Sequence, residues 1–396
     1  MLDTCCYSPQ EQILLAGTKG KTNPHRNTHK RLFEILEGFD GMPPIIDIER
    51  ARLFTASMKG TEGQPLNLRW AKALRHIAEN ITVYVDDRQL IVGRCGTDKG
   101  RYGILYPELD GDFMGESMNN LANRASAPIH ADPEDVRVVV EEISPYWQGK
   151  TFHEDLVRSL PDEARHLAYN DEKGYSTRFI CSETASYRSS QQWVLDYAKV
   201  INRGFAAIKA EAQQRLAALA PLSLTDTLSK KPFLEAVILT CEAIVIWARR
   251  HAALAREKAA HEQNPARVRE LLQIAEHCER VPEFPARTFH EAVQAQWFAQ
   301  AFSRLEQRTG TIISNGRMDQ YLYPLFKKDK EEGRLSDEQA LELFDCLWLN
   351  MAQFTDLSLS AGGAATQEGY AHWEAVTIGG QTPEGCDATN ELTHLI

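Results

Sequence analysis

Apolar positions along most of this chain recur at intervals of three and four, which is the spacing of one buried helix face. From Asn27 to Gly38, basic and apolar residues mix at that spacing, with Leu32, Phe33 and Leu36 expected on one face. Pro43-Pro44 then breaks the pattern. Ile48 to Ser57 and Leu68 to Glu79 predict two further helices. Ile81-Thr82-Val83-Tyr84-Val85 and Leu90-Ile91-Val92, on either side of Asp86-Asp87, are rich in β-branched residues and predict strand or extended backbone. Gly93 to Gly111 is dense in glycine and aromatic residues and predicts an irregular connection.

The second half is more strongly helical. Phe205 to Leu219 is Ala-rich and amphipathic, and Phe233 to His261 predicts a long helix, apolar first and charged later. Thr288 and Glu291 have the spacing of a capping box, in which the threonine accepts a backbone N–H and the glutamate reaches back. They open a helix running to about Leu305. Ser336 and Gln339 repeat the signature before Leu341 to Phe354. Short Gly-punctuated segments alternate with these helices: Ile312 to Arg317, Leu357 to Gly363, and Ala375 to Gly380. That alternation predicts a helix-rich α/β fold with buried parallel strands, whose ligands sit at strand C-termini.

Composition narrows the function classes. The chain has 396 residues, 43% hydrophobic and 25% charged, which excludes a disordered or coiled-coil protein. That length suggests two or three domains, but no linker is evident, so one large domain is expected. Its 44 basic and 55 acidic residues leave a net charge of −11, which disfavours nucleic acid and anionic membrane as partners. The run Ala243 to Ala248 is too short to span a bilayer, and Met1 to Cys6 holds no leader pattern, so a cytoplasmic protein is expected. Cys5, Cys6, Cys95, Cys181, Cys241, Cys278, Cys346 and Cys386 show no metal-binding spacing and are expected mostly to pack as small apolar side chains.

Familiar catalytic strings are absent: no G-x-S-x-G, H-E-x-x-H, P-loop or dinucleotide fingerprint occurs. Arg188 and Gln192 stand four residues apart, so on a helix they share a face. A guanidinium fork beside a carboxamide N–H suits a tetrahedral oxyanion such as a sulfonate, and the same pair also suits an ordinary surface helix. Trp373 could wall a pocket, but on its own it reads as a core aromatic.

Several collinear strings resemble the glycyl radical enzymes, the family of pyruvate formate-lyase and glycerol dehydratase. They are Ile45 to Arg52, Asp87 to Gly93, Tyr106-Pro107-Glu108, Cys278 to Pro282, Thr288 to Ala292, Ser314 to Pro324, Thr377 to Gly380, and Asp387 to Leu392. The resemblance implies the N-terminal portion of a barrel made of two antiparallel half-barrels of parallel strands wrapped in helices. The string Arg101 to Asp112 resembles the family's sulfonate-cleaving branch, and Arg188 and Gln192 align there with sulfonate-binding residues, Trp373 with a pocket wall. The implied substrate is isethionate or a similar small sulfonate, cleaved at its C–S bond. Cleavage of dihydroxypropanesulfonate, a choline lyase, a diol dehydratase and a non-catalytic binding fragment are the alternatives. A buried cation would oppose choline's ammonium group.

In the family, a glycine-centred radical oxidises a cysteine in a G-C-x-E string, the resulting thiyl abstracts hydrogen from substrate, and the glutamate takes the hydroxyl proton. Cys386 does not match that string, because no glutamate stands two residues beyond it. The thiyl cysteine, glutamate base and radical glycine are expected beyond Ile396, with residues 1–396 forming an incomplete pyruvate formate-lyase-like domain without its glycine radical domain. No catalytic residue, bound cofactor or metal is therefore expected in these residues, and the chain alone is expected to be inactive. The resemblance implies a radical S-adenosylmethionine activating enzyme as partner and a homodimer in the full-length form. Association with a bacterial microcompartment is compatible with it.

Overall fold

A computed structural model of the chain describes residues 30–40, 42–96, 100–110, 118–119, 121–123, 128–163, 194–220, 223–306, 313–355, 357 and 374–396. In chain order its main elements are α1 (Lys30–Glu37), β1 (Ile45–Asp47), α2 (Glu49–Gly60), α3 (Leu66–Asn80), β2 (Tyr102–Ile104), α4 (Pro133–Val138) and α5 (Phe152–Ser159). They continue as α6 (Tyr197–Ala217), α7 (Lys231–His261), α8 (Pro265–Arg280), α9 (Phe289–Glu306), β3 (Gly316–Arg317), α10 (Tyr323–Glu331), α11 (Asp337–Gln353) and β4 (Val376–Thr377).

Helix α9 is the centre of the packing. Every residue from Phe289 to Leu305 except His290 is buried, as expected of a helix apolar on all sides. Its aromatic residues Phe289, Trp297 and Phe298 are fully enclosed. Helix α7 lies alongside α3, α6 and α8. Its inward stripe ends in Ala248, Ala252, Ala255 and Ala259, at steps of three and four, and these small side chains let neighbouring backbones approach. On α1 the inward face centres on Ile35 instead of the expected Leu32, Phe33 and Leu36, which are only half-buried. Arg31, one turn before Ile35, sets that rotation by bonding Glu270 of α8 and Glu342 of α11.

Parallel strands are present but short. β1 pairs with β2 in the register Ile45–Tyr102, Ile46–Gly103 and Asp47–Ile104. Single bridges from Ile45 to His130 and from Tyr102 to Phe354 extend this array on both sides. β3 pairs with β4 through Gly316–Val376 and Arg317–Thr377, and Val194 bridges to Ser314. Both pairs are parallel, as expected. β1 and β2 are buried, whereas β4 is exposed, contrary to the expectation of buried strands throughout.

Two further expectations need correction. β2 lies inside Gly93–Gly111, which reads as irregular from sequence; the glycines and aromatics there serve close packing. A side chain at Gly103 would come within 2.3 Å of Leu357. The segment 81–92 is extended yet joins no sheet, because helix side chains take up its backbone groups. Glu49 accepts from the Thr82 N–H (3.0 Å). Lys258 donates to the Val85 carbonyl (2.7 Å), and Arg267 to those of Asp86 (2.8 Å) and Gln89 (3.1 Å). Asn350 donates to the Ile91 carbonyl (2.8 Å), and Gln294 bonds both the N–H (2.9 Å) and the carbonyl (2.7 Å) of Val92. For these groups the side chains stand where a neighbouring strand would otherwise bond.

The Ser336 capping box is complete before α11. The one at α9 is half-formed. Thr288 Oγ1 accepts the Glu291 N–H (3.2 Å), but the Glu291 carboxylate bonds the N–H of Arg287 (2.6 Å) and the Arg287 guanidinium. Cys95, Cys241, Cys278 and Cys346 are buried, and Cys386 is exposed.

Candidate functional site

The strings that carry the family resemblance meet one another in space, which accounts for their separation in sequence. Arg50, from the first string, forms a two-pronged pair with Glu108 of the third: Nη1 to Oε2 at 2.9 Å and Nη2 to Oε1 at 2.7 Å. Its Nε and Nη2 also donate to the Leu305 (2.9 Å) and Glu306 (2.8 Å) carbonyls, closing the C-terminal end of α9. The guanidinium lies over Phe54 (4.4 Å) and Tyr106 (4.5 Å). Asp319 ties the later strings together: its Oδ2 accepts the Gly379 N–H (2.7 Å) and the Thr393 hydroxyl (2.6 Å). Asn390 in turn donates to the Asp319 carbonyl (3.1 Å), and Gln320 to that of Ala388 (2.8 Å).

Arg188, Gln192 and Trp373 lie outside the described residues, as do Cys5, Cys6 and Cys181. The chain just C-terminal to Gln192 and to Trp373 is described, and both stretches converge on residues 313–316. Val194, two residues after Gln192, bridges to Ser314. Ala375, two residues after Trp373, donates its N–H to Ser314 Oγ (3.3 Å) and accepts the Asn315 N–H (3.1 Å). The 313–316 segment is itself pinned from three sides. Gln300 of α9 donates to the Ile313 carbonyl (3.1 Å), Tyr197 to that of Ser314 (3.2 Å), and Tyr321 to that of Asn315 (2.8 Å). Gly316 has φ of 62°, and a side chain there would meet Val194 Cγ1 at 2.6 Å. Glycine is required to admit the Val194 strand so closely.

Beneath this junction lies a buried polar group that sequence reasoning does not single out. Arg304, in the last turn of α9, is fully buried and paired with Glu374, whose side chain is 4% exposed. The guanidinium packs over Phe354 (4.5 Å) and Trp297 (5.0 Å), and its Nε and Nη1 have no hydrogen-bond partner among the described residues. Burial pulls the Arg304 pKa below its ordinary value. Nearby Cys95 is pushed up to about 12 by burial, with Arg304 and Arg94 opposing, and donates to the Ala301 carbonyl (3.1 Å). It is a neutral packed thiol, not a thiolate nucleophile. Along α9, Gln296 donates to Gln300 Oε1 (2.9 Å), which also accepts from Asn315 (3.2 Å). Gln296 Oε1 and Asn315 Oδ1 are left without partners among the described residues. A helix that is apolar all round yet carries an arginine and two glutamines at i, i+4 and i+8 is the signal that could have flagged this group.

Among the described residues no group of three or more His, Cys, Asp or Glu side chains could hold a metal, and no helix is long and apolar enough to cross a membrane.

Residues 25–396 match the pyruvate formate lyase-like family, and the chain belongs to that family. Isethionate sulfite-lyases from four organisms are 56–61% identical to it. The one from Nitratidesulfovibrio vulgaris is 61% identical over 393 residues, covering 99% of this chain and 47% of that protein. (2S)-3-sulfopropanediol dehydratase from Klebsiella oxytoca is 31% identical, covering 93% of this chain and 44% of that protein. A solved structure from Roseburia inulinivorans, described for 1,2-propanediol dehydration, matches with a TM-score of 0.84 at 31% identity. It covers 95% of this chain and 45% of that one. The chain thus spans about half the length of the curated relatives it matches, and the fold is the corresponding part of a glycyl radical enzyme barrel.

Proposed function

We propose that the protein acts as an isethionate sulfite-lyase, converting 2-hydroxyethanesulfonate to acetaldehyde and hydrogensulfite. The carrying observation is the drop in identity from 56–61% against the four isethionate sulfite-lyases to 31% against a dehydratase that also handles a sulfonate. In this reading Arg188 and Gln192 bind the sulfonate, which Arg188 neutralises and Gln192 orients through its carboxamide N–H. Trp373 walls the pocket and excludes water, which suits radical chemistry. The convergence of Val194 and Ala375 on Ser314 supports a common site for the two arms that carry these residues. The family's glycine radical supplies hydrogen-atom abstraction, and no residue of these 396 is assigned that role. The activating enzyme, a homodimeric state and a cytoplasmic location belong to the same proposal.

The test is thermal denaturation of the full-length protein with and without isethionate. Isethionate should raise the midpoint, choline should not, and Arg188→Ala should lose the shift. Equal protection of the Arg188→Ala variant would refute the clamp. Protection by dihydroxypropanesulfonate in place of isethionate would move the substrate assignment to the larger sulfonate.

A further inference from the structure

A pocket of about 450 Å³ lies between α3, α6 and α7, at the C-terminal end of α9. Its walls are mostly apolar: Trp70 and Leu74 come from α3, Phe205 and Ile208 from α6, and Phe233 and Val237 from α7. Phe233 is 54% exposed, whereas Leu74 and Cys241 are buried. Two ionisable side chains line the pocket. Cys241 is neutral, its thiol pushed up to about 11 by burial. The other is Glu306, the last residue of α9.

The two acceptor groups of Glu306 are in different positions. Its backbone carbonyl accepts from Arg50 Nη2 (2.8 Å) and from Trp70 Nε1 (3.2 Å), which fixes the indole against the helix end. Its carboxylate has no hydrogen bond or ion pair among the described residues. Burial raises the Glu306 pKa above the ordinary carboxylate value, and Arg50 opposes that shift. Arg50 does not supply the missing partner, because Glu108 already meets its charge with two bonds. A half-buried carboxylate among apolar and aromatic walls is thus left without a cation of its own.

We propose that this pocket binds a small organic ammonium ion, an apolar body carrying a primary amine, with Glu306 accepting the ammonium N–H groups. The N–H donors supply the hydrogen bonds the carboxylate lacks, and the charges complement each other. Trp70, Phe205 and Phe233 favour both an apolar body and a nearby cation. The volume falls in the range of small-molecule sites. An anion such as isethionate would be opposed by the same carboxylate, and choline has neither the N–H donors nor the apolar body. None of these residues is among those assigned to isethionate.

Titration calorimetry of the full-length protein with phenethylammonium is the test, with phenethyl alcohol and hydrocinnamate as the uncharged and anionic counterparts. Phenethylammonium should bind about tenfold more tightly than either, or about 1.4 kcal/mol. Glu306→Gln keeps the shape, removes the charge and should abolish that preference. No binding by the wild-type protein, or an unchanged preference in Glu306→Gln, would overturn the proposal. Displacement of the probe by isethionate would also overturn it, by placing the probe in the sulfonate site. Should Glu306→Gln fail to fold, Phe233→Ala decides, since that side chain is exposed and its loss leaves the fold intact. Phenethylammonium binding about threefold weaker in Phe233→Ala supports the pocket, and unchanged binding overturns it.

Discussion

Arg50 with Glu108 and Arg304 with Glu374 are both buried ion pairs at the C-terminal end of α9, and they are built differently. Arg50 meets its carboxylate with two nitrogens, bonds the Leu305 and Glu306 carbonyls through Nε and Nη2, and sits over two aromatic rings. Arg304 meets Glu374 through Nη2 and leaves Nε and Nη1 without partners among the described residues, although it too is stacked on aromatic rings. The first pair is a completed joint. The second carries unspent donors inside the protein, which is costly wherever stability alone is selected. It also stands next in sequence to Trp373. The difference teaches that hydrogen-bond completeness, more than burial or charge, distinguishes these two buried pairs.

The comparison can be broken most directly at Arg50. Arg50→Leu leaves Glu108 buried without its partner and uncaps α9, so urea unfolding should lose about 3–5 kcal/mol. A loss under about 1 kcal/mol would mean the pair is not the joint described. The next effect is a difference between two like substitutions. Glu108→Gln should destabilise more than Glu374→Gln, because it weakens a two-pronged bond to an arginine whose nitrogens are all bonded, whereas Arg304 has two nitrogens without a partner among the described residues. The reverse order in chemical denaturation would undo the contrast.

His251 sharpens the same point with a smaller effect. It is fully buried, donates Nδ1–H to the Trp247 carbonyl (2.9 Å), and has no partner at Nε2 among the described residues. Here the unspent nitrogen is tolerated by staying neutral: burial, with a smaller contribution from Arg250, lowers its pKa to about 4. The unfolded chain, near 6.5, then binds more protons between pH 6.5 and 4, so stability falls as pH drops through that window. The His251 share is about 3 kcal/mol, from a shift of 6.5 to about 4 at 1.36 kcal/mol per unit. His251→Phe fits the aromatic cluster of Trp247 and Phe298 and should flatten the acid slope of stability against pH. An unchanged slope would show that His251 does not titrate on unfolding.

Periodicity alone located the helices well. α2, α3, α7, α9 and α11 begin and end within a few residues of where their apolar spacing and caps put them, because helix bonds are local and leave a three- and four-residue trace. The strands were harder. β1, β2, β3 and β4 are two or three residues long, too short for a pattern of two to register, and Gly93–Gly111 concealed β2. Extended backbone at 81–92 was legible, but its satisfaction by Arg267, Gln294 and Asn350 was not, since those donors lie far along the chain.

The sequence by itself determined the helical framework and, through collinear strings such as Ile45–Arg52 and Ser314–Pro324, the family and its implied half-barrel. It also named Arg188, Gln192 and Trp373 as the residues to test. Only the tertiary structure decided that Arg50 belongs with Glu108, 58 residues away, and Arg304 with Glu374, 70 residues away. Local pattern records what each element buries, whereas the partner of a buried charge depends on which distant elements meet there. That pairing is a property of the packed core.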